Sequence, residues 1–433
     1  MGRQLTKNIG LTAVLGMSLA LAGCPSKSED ASVATAGKKL YVASGACFSG
    51  SGITTYAQAA TGNAISSYDS VSGAYNGVEL AMSQVSPVDV NTTPVHVINR
   101  SSDLLVLTEN ASQQINRRVL KIPKASPTTY SAFLDDGDAF TNLATHIAKS
   151  FAYDSTDGSI QYSKTILVEK ILPNNVRAVK GGANPWINPA AITGTCFPAV
   201  PAVPGIVGLD ILSPFTPGVD GKTVMLSAGP VAGVANTNRI FAVSRTGLTS
   251  ATPADCNGVT GTGISTVAHI NGPGLAGPIS IVAPGANPTA MVKIATSTPG
   301  TYKLIVAYST QIVTQFDNNT NFNTGLVMWD MVETSDTLVT FLTPTIIYRN
   351  SNVVWAPSAL AYDSATSSLY VAVGGAPGVI NQTSSNYGYN IEKFTVNLAA
   401  VAPATVLTRI HTDNKPFFTG NQNTKCISSL AIE

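Results

Sequence analysis

Charge is what this chain has least of. Only 11% of its residues are Asp, Glu, Lys or Arg, and 25 basic against 24 acidic side chains leave a formal charge of +1. A nucleic-acid binder normally presents a basic face, so this balance gives no electrostatic reason to expect nucleic acid as a partner. Histidine is scarce too. His96, His146, His269 and His411 are scattered without the H-x-x-x-H or H-E-x-x-H spacing that aims two imidazoles at one metal, which points to structural roles. There is no C-x-x-C, hence no sign of a thioredoxin-like site or a zinc ribbon, and neither a G-x-S-x-G elbow nor a P-loop occurs. Serine is abundant, but a hydroxyl becomes a nucleophile only beside a positioned base, so no catalytic residue is assigned.

The apolar stretch 9–21 follows Arg3 and Lys7 and is too short to cross about 30 Å of hydrocarbon as a helix. It ends in Leu21-Ala22-Gly23-Cys24. An aliphatic residue, two small residues and a cysteine resemble the lipobox of bacterial lipoproteins. That resemblance implies that residues 1–23 are a signal peptide cut before Cys24, and that the Cys24 thiol and the new amine carry palmitate-type acyl chains. Two or more chains give stable membrane anchoring where one is marginal. Pro25 stands where an aspartate would resemble an inner-membrane retention signal, so the resemblance implies the outer membrane and leaves open whether the body faces the periplasm or the surface. Residues 24–37, Ser/Ala/Thr/Lys-rich and without periodicity, read as a flexible tether.

Residues 38–433 are expected to form one all-β domain. Gly (37) and Pro (25) break the body into short β-branched runs, and few segments show a helical apolar period. The segment 358–374 (SALAYDSATSSLYVAVG) reads as strand, turn, strand. Its first half recurs at 428–432 (SSLAI) and its second at 38–45 (KKLYVASG). Two halves of one hairpin at opposite ends of the body predict a β-propeller whose last blade is closed by the N- and C-terminal strands, leaving no long unpaired edge. Further hairpins are expected at 95–99 with 104–108, 147–153 with 159–162, 207–212 with 223–227, and 290–295 with 302–308; Ala152-Tyr-Asp-Ser155 repeats Ala361-Tyr-Asp-Ser364. The count is six blades, or seven if 229–288 holds another.

With Cys24 assigned to lipid, Cys47, Cys196, Cys256 and Cys426 remain, an even number that in an exported chain suggests two disulfides among three possible pairings. If Ile432 faces Tyr41, Cys426 falls opposite Cys47, close enough to bridge, and Cys196 with Cys256 follows by elimination. Asp317, Asn319 and Asn321 offer oxygens at alternate positions for calcium, but the loop lacks the glycine and the glutamate of an EF-hand. Asp135-Asp-Gly-Asp138 and Asp154-Ser-Thr-Asp-Gly158 suit Asx turns better. Arg117, Arg118, Lys121 and Lys124 along the strand-like run 115–122 read as a solvated edge, and Trp186, Trp329 and Trp355 as blade packing. No cofactor is assigned.

Two function classes remain. One is a lipid-anchored envelope propeller acting as a binding or assembly scaffold for a protein or glycan partner, in outline similar to propeller lipoproteins that serve as assembly scaffolds. The alternative is a propeller-type hydrolase or lyase with calcium in the central channel, like the propeller lactonases and phytases. No motif of either is matched residue by residue.

Overall fold

A computed structural model of the chain describes residues 37–49, 55–58, 63–85, 92–110, 118–134, 150–153, 158, 160–163, 168–172, 176–177, 216–217, 223–228, 239–244, 264–269, 286–310, 325–335, 338–342, 344–349, 357–373, 390–410 and 426–433. The chain divides into two units, Met1–Ala36 and Gly37–Glu433. Among the described residues no helix is long and apolar enough to cross a membrane. The second unit is an all-β propeller of antiparallel sheets.

In chain order the strands are β1 (Lys39–Ser44), β2 (Ala46–Ser49), β3 (Thr55–Gln58), β4 (Ala64–Asp69), β5 (Tyr75–Ala81), β6 (Thr92–Asn99), β7 (Asp103–Asn110), β8 (Arg118–Pro123) and β9 (Ser131–Leu134). There follow β10 (Ser150–Tyr153), β11 (Ile160–Ser163), β12 (Val168–Leu172), β13 (Val176–Arg177), β14 (Thr216–Pro217), β15 (Thr223–Ala228), β16 (Arg239–Ser244) and β17 (Ile264–His269). The last are β18 (Ala286–Ala295), β19 (Thr301–Thr310), β20 (Gly325–Ser335), β21 (Leu338–Phe341), β22 (Thr345–Arg349), β23 (Pro357–Asp363), β24 (Ser368–Val373), β25 (Asn390–Val396), β26 (Leu407–Arg409) and β27 (Ile427–Ile432). The sheets are β6 to β9, β10 to β13, β14 to β17, β18 to β21 with β22 on β20, β23 to β26, a small β2-β3 ribbon, and the sheet β27-β1-β4-β5 that joins the two ends.

Head meets tail as the repeat requires, but one residue out of the expected register. Leu40 lies opposite Ile432 and Tyr41 opposite Ala431. The intact copy explains the offset: there Tyr362 faces Leu369, the positions that Ile432 and Leu40 repeat. A slip of one would turn every core side chain to the wrong face. The expected hairpins at 95–108, 290–308 and 358–373 are β6-β7, β18-β19 and β23-β24, and part of 147–162 forms β10-β11; residues 207–212 lie outside the described residues.

Four sheets have described side chains on four strands each, and their cores run between neighbours. Ile305, Leu326 and Met328 pack with Leu369, Val371 and Phe394. Leu40, Val42 and Leu430 pack with Ala361, Tyr370 and Ile391. Tyr41, Ile65 and Leu80 pack with Val97, Val106 and Ile122. Fully burying one such side chain is worth about 1.5–3 kcal/mol, so each interface outweighs any single polar link across it. These four blades with described cores compare with the six expected. The stretch 229–288, where a seventh was sought, supplies β16 and β17 to the sheet that starts at β14. Trp329 is among the largest fully buried side chains, as blade packing predicts; Trp186 and Trp355 lie outside the described residues. The basic run is not an edge: β8 pairs with β7 on one side and β9 on the other. Lys121 lies 3.7 Å from Asp103 and Lys124 3.4 Å from Glu433, and these carboxylates offset the charge beside an interior strand.

The same device opens four inner strands. The ladder skips one residue after Pro94, Pro288 and Pro357, and again after Ile427, leaving Val95, Thr289, Ser358 and Ser428 bulged out of register. Proline has no N–H to give a ladder, and these strands are sheet edges, where that loss is harmless. Two bulged serines use their freedom. The Ser358 hydroxyl donates to the Ile427 carbonyl at 2.6 Å, and the Ser428 hydroxyl to the Pro94 carbonyl at 3.1 Å, each reaching the next inner strand. Replacing Ser428 by alanine is expected to cost about 1 kcal/mol in urea unfolding, the worth of one such bond.

Candidate functional site

A cluster of charge gathers at the end of the seam where β27 finishes and β1 begins. Glu433 N–H donates to the Lys39 carbonyl at 2.9 Å and the Lys39 N–H to the Glu433 carboxylate at 3.2 Å. Lys38 Nζ reaches Asp363 at 2.7 Å in the neighbouring blade; Lys39 Nζ reaches Glu79 at 2.7 Å, whose same oxygen accepts from the Ser67 hydroxyl at 2.6 Å. On the other flank Lys124 lies 3.4 Å from Glu433, and Asn99 Nδ2 donates to the Ile432 carbonyl at 2.9 Å.

Asx-type turns place the acidic groups. Asp69 accepts from the N–H groups of Val71 and Ser72 and from the Ser72 hydroxyl, and Asp363 from the Ala365 N–H and the Thr366 hydroxyl. The Ser72 N–H, ahead of other causes, holds the Asp69 carboxyl below the usual range. Burial alone would raise Asp363, but the Lys38 ammonium and the Thr366 hydroxyl outweigh it and the group stays low. Asp103 follows the same logic: burial opposes, while bonds from Arg100 at 2.6 Å and Ser102 at 3.0 Å win, with Lys121 at 3.7 Å adding charge. Arg100 also stacks over Tyr153 of the next sheet, 4.7 Å from its centroid.

Lys393 is buried in this junction. Its ammonium donates to the Ser70 carbonyl at 2.8 Å, beside the Tyr370 hydroxyl that donates to the same oxygen at 3.0 Å. Burial lowers the lysine and pushes Tyr370 up to about 12. Carboxylates held low keep their charge and make poor bases; Lys38 on Asp363 and Lys393 and Tyr370 on Ser70 link neighbouring sheets, while Asp69 and Asp103 hold groups of their own turns.

The sequence candidates fall as follows. Cys426 is buried at the start of β27, in a left-handed conformation (φ 54°), and is disulfide-bonded. The ladder that was to bring Cys47 opposite it ends earlier, with Gly45 N–H on the Cys426 carbonyl at 3.2 Å, and Cys47 belongs to β2. Cys24, Cys196, Cys256, Asp317, Asn319, Asn321, Asp135, Asp138, Asp154, Asp157, Arg117, His146 and His411 lie outside the described residues, and His269 is placed by backbone alone on β17. Among the described residues no three His, Cys, Asp or Glu side chains gather as a metal site. His96 is half-buried, accepts from the Phe151 N–H at 3.3 Å through Nδ1 and meets the Phe151 ring edge-on at 5.2 Å, a structural role. Sequence reasoning missed Asp69, Tyr370 and Lys393. A third copy of Tyr-Asp-Ser, at 68–70, was the signal for the first.

No family model matches the chain, and no curated protein does. Solved structures similar to it include a nidogen/laminin complex, at 9% identity and TM-score 0.46, covering 92% of this chain and 98% of that one. A protein named as a 6-phosphogluconolactonase, from Bacteroides uniformis, shows 11% identity and TM-score 0.40, with 92% and 85% covered. The Cps50 (Swd1) β-propeller domain of Myceliophteria thermophila shows 7% identity and TM-score 0.33, with 77% and 93% covered.

Proposed function

We propose that this chain is a six-bladed propeller held at the outer membrane by lipid on Cys24, with a ring that serves as a binding or assembly scaffold for a protein or glycan partner. The count of six is supported by the first strands of six sheets, which neighbour one another in a circle: β27 beside β6, then β10, β14, β18, β23 and back to β27. One observation carries the scaffold reading. The buried carboxylates Asp363, Asp103 and Glu79 are each paired with a cation: Lys38 crosses from the closing sheet to Asp363, while Arg100 and Lys39 hold Asp103 and Glu79 within their own sheets. A frame braced in this way suits loops that bind. Long connections such as 311–324, 374–389 and 411–425 supply them.

Cys47 is the proposed partner of Cys426, because β2 packs beside β27, and Cys196 with Cys256 is the second pair. A non-reduced digest is expected to yield joined peptides containing Cys47 and Cys426; both recovered as separate peptides would refute the pairing. For function, purified protein is expected to bind an envelope protein or glycan saturably with or without a calcium chelator. Turnover of lactones or phytate that a chelator abolishes would overturn the scaffold reading in favour of the calcium enzyme.

A further inference from the structure

The junction between the β6–β9 and β10–β13 sheets is held differently from the seam. At the seam two serines near the start of β27 act as a pair: bulged Ser428 donates its hydroxyl to the Pro94 carbonyl, and Ser429 accepts from the Val97 N–H at 3.2 Å. One step round the circle the bulged residue is Val95, which has no hydroxyl, and the next is His96, whose Nδ1 accepts from the Phe151 N–H at 3.3 Å. An imidazole stands where Ser429 stands. The two acceptors differ in one respect: a hydroxyl keeps its lone pairs on acidification, whereas the Nδ1 lone pair is lost once a proton from solvent takes it. The imidazolium then turns one N–H against another.

We infer that His96 makes this junction an acid-sensitive joint, in which protonation at Nδ1 parts β6 from β10 locally while the seam at β27 stays shut. The surroundings favour parting over accommodation. Alternation puts Ile98 and Arg100 of β6 on the imidazole's side of the sheet, with Asp103, Leu105 and Leu107 of β7 and Val119 and Lys121 of β8; Phe151 and Ile160 pack against them. Arg100 and Lys121 both lie on Asp103, at 2.6 and 3.7 Å, and Arg100 covers the Tyr153 ring at 4.7 Å. That group, about 13 Å along the strand from His96, keeps an excess of positive charge and has no carboxylate to spare for another cation. Glu109 lies two positions beyond Leu107 on β7, opposite Thr93. On the other side of β6 stand Ser429 of β27, Tyr41 of β1, Ile65 and Met82, all uncharged in acid. Burial holds the imidazole down to about 4, so the closed joint resists a proton that the parted joint accepts.

The test is residue-resolved hydrogen exchange and imidazole nitrogen NMR on the full chain from pH 7 to pH 4, with exchange repeated at several low urea concentrations. At neutral pH His96 is expected as the Nε2–H tautomer, because Nδ1 must be bare to accept. The Phe151 amide is expected to exchange by a route indifferent to urea, at least tenfold faster at pH 4.5 than at pH 6.5 after correction for intrinsic rate. Seam amides such as Val42 should exchange only along the urea-dependent route of whole-domain unfolding. The acceleration at Phe151 should vanish in His96→Asn and stay within twofold in Glu109→Gln. The tautomer and urea readouts need no variant, so they stand if His96→Asn fails to fold. An Nδ1–H tautomer, a Phe151 amide that follows urea as the seam does at every pH, or an acceleration that survives His96→Asn or disappears in Glu109→Gln would each overturn the joint.

Discussion

Deleting residues 427–433 is expected to abolish cooperative unfolding altogether, leaving a chain that binds a hydrophobic dye and is cut rapidly by protease. The last strand buries Ile427, Leu430 and Ala431, gives β1 its inner neighbour, and carries the serine that reaches Pro94. At about 1.5–3 kcal/mol per large buried side chain, together with about 1 kcal/mol for each lost bond, the loss approaches the 5–15 kcal/mol that a domain has in total. Deleting Glu433 alone removes only partly exposed contacts with Lys124 and Lys39, and is expected to shift the urea midpoint by less than about 1 kcal/mol. A truncated chain that still unfolds in one sharp transition near the wild-type midpoint would disprove the seam's role.

The second large effect is acid sensitivity in two steps. Burial pushes His96 down to about 4 from its ordinary value near 6.5. The unfolded chain therefore takes up a proton near pH 6.5 that the folded chain refuses until about pH 4, and stability falls across that window. The size is on the order of 3 kcal/mol, from 1.36 kcal/mol per unit of pKa difference. Asp69, Asp103 and Asp363 act lower. Their folded values are depressed, so they stabilise fully above the unfolded value near 4, and that contribution is lost as pH drops further through the folded values. Urea titrations from pH 8 to pH 3 should show both steps. In His96→Asn, whose amide oxygen can still accept from Phe151, the upper step should disappear and the lower one remain. A variant that keeps the full wild-type slope between pH 6.5 and 4 would remove His96 from the account.

What could be read beforehand was the part written twice. The hairpin 358–374 and its divided copy at 38–45 and 428–432 announced the seam, because strand pairing depends on side chains that alternate locally. The exact register was missed by one residue, because the pair that sets it, Tyr362 with Leu369, shows only in the ladder of the intact copy. The bulges were harder to see: a proline two residues before an apolar run reads as a strand boundary, and only the ladder shows that it stays inside the strand as an edge residue. Lys393 was unreadable, since a lysine between Glu392 and Phe394 looks like an exposed position until Ser70, 323 residues away, brings its carbonyl to it. Lys121 and Lys124 misled for the related reason that one carboxylate partner, Asp103, lies on a neighbouring strand and the other, Glu433, is distant in sequence.

The shared blade also sets a timetable. Its second strand, β1, precedes every other strand of the ring and its first, β27, comes after β26, so one edge of β1 stays bare until each of the other sheets has been made.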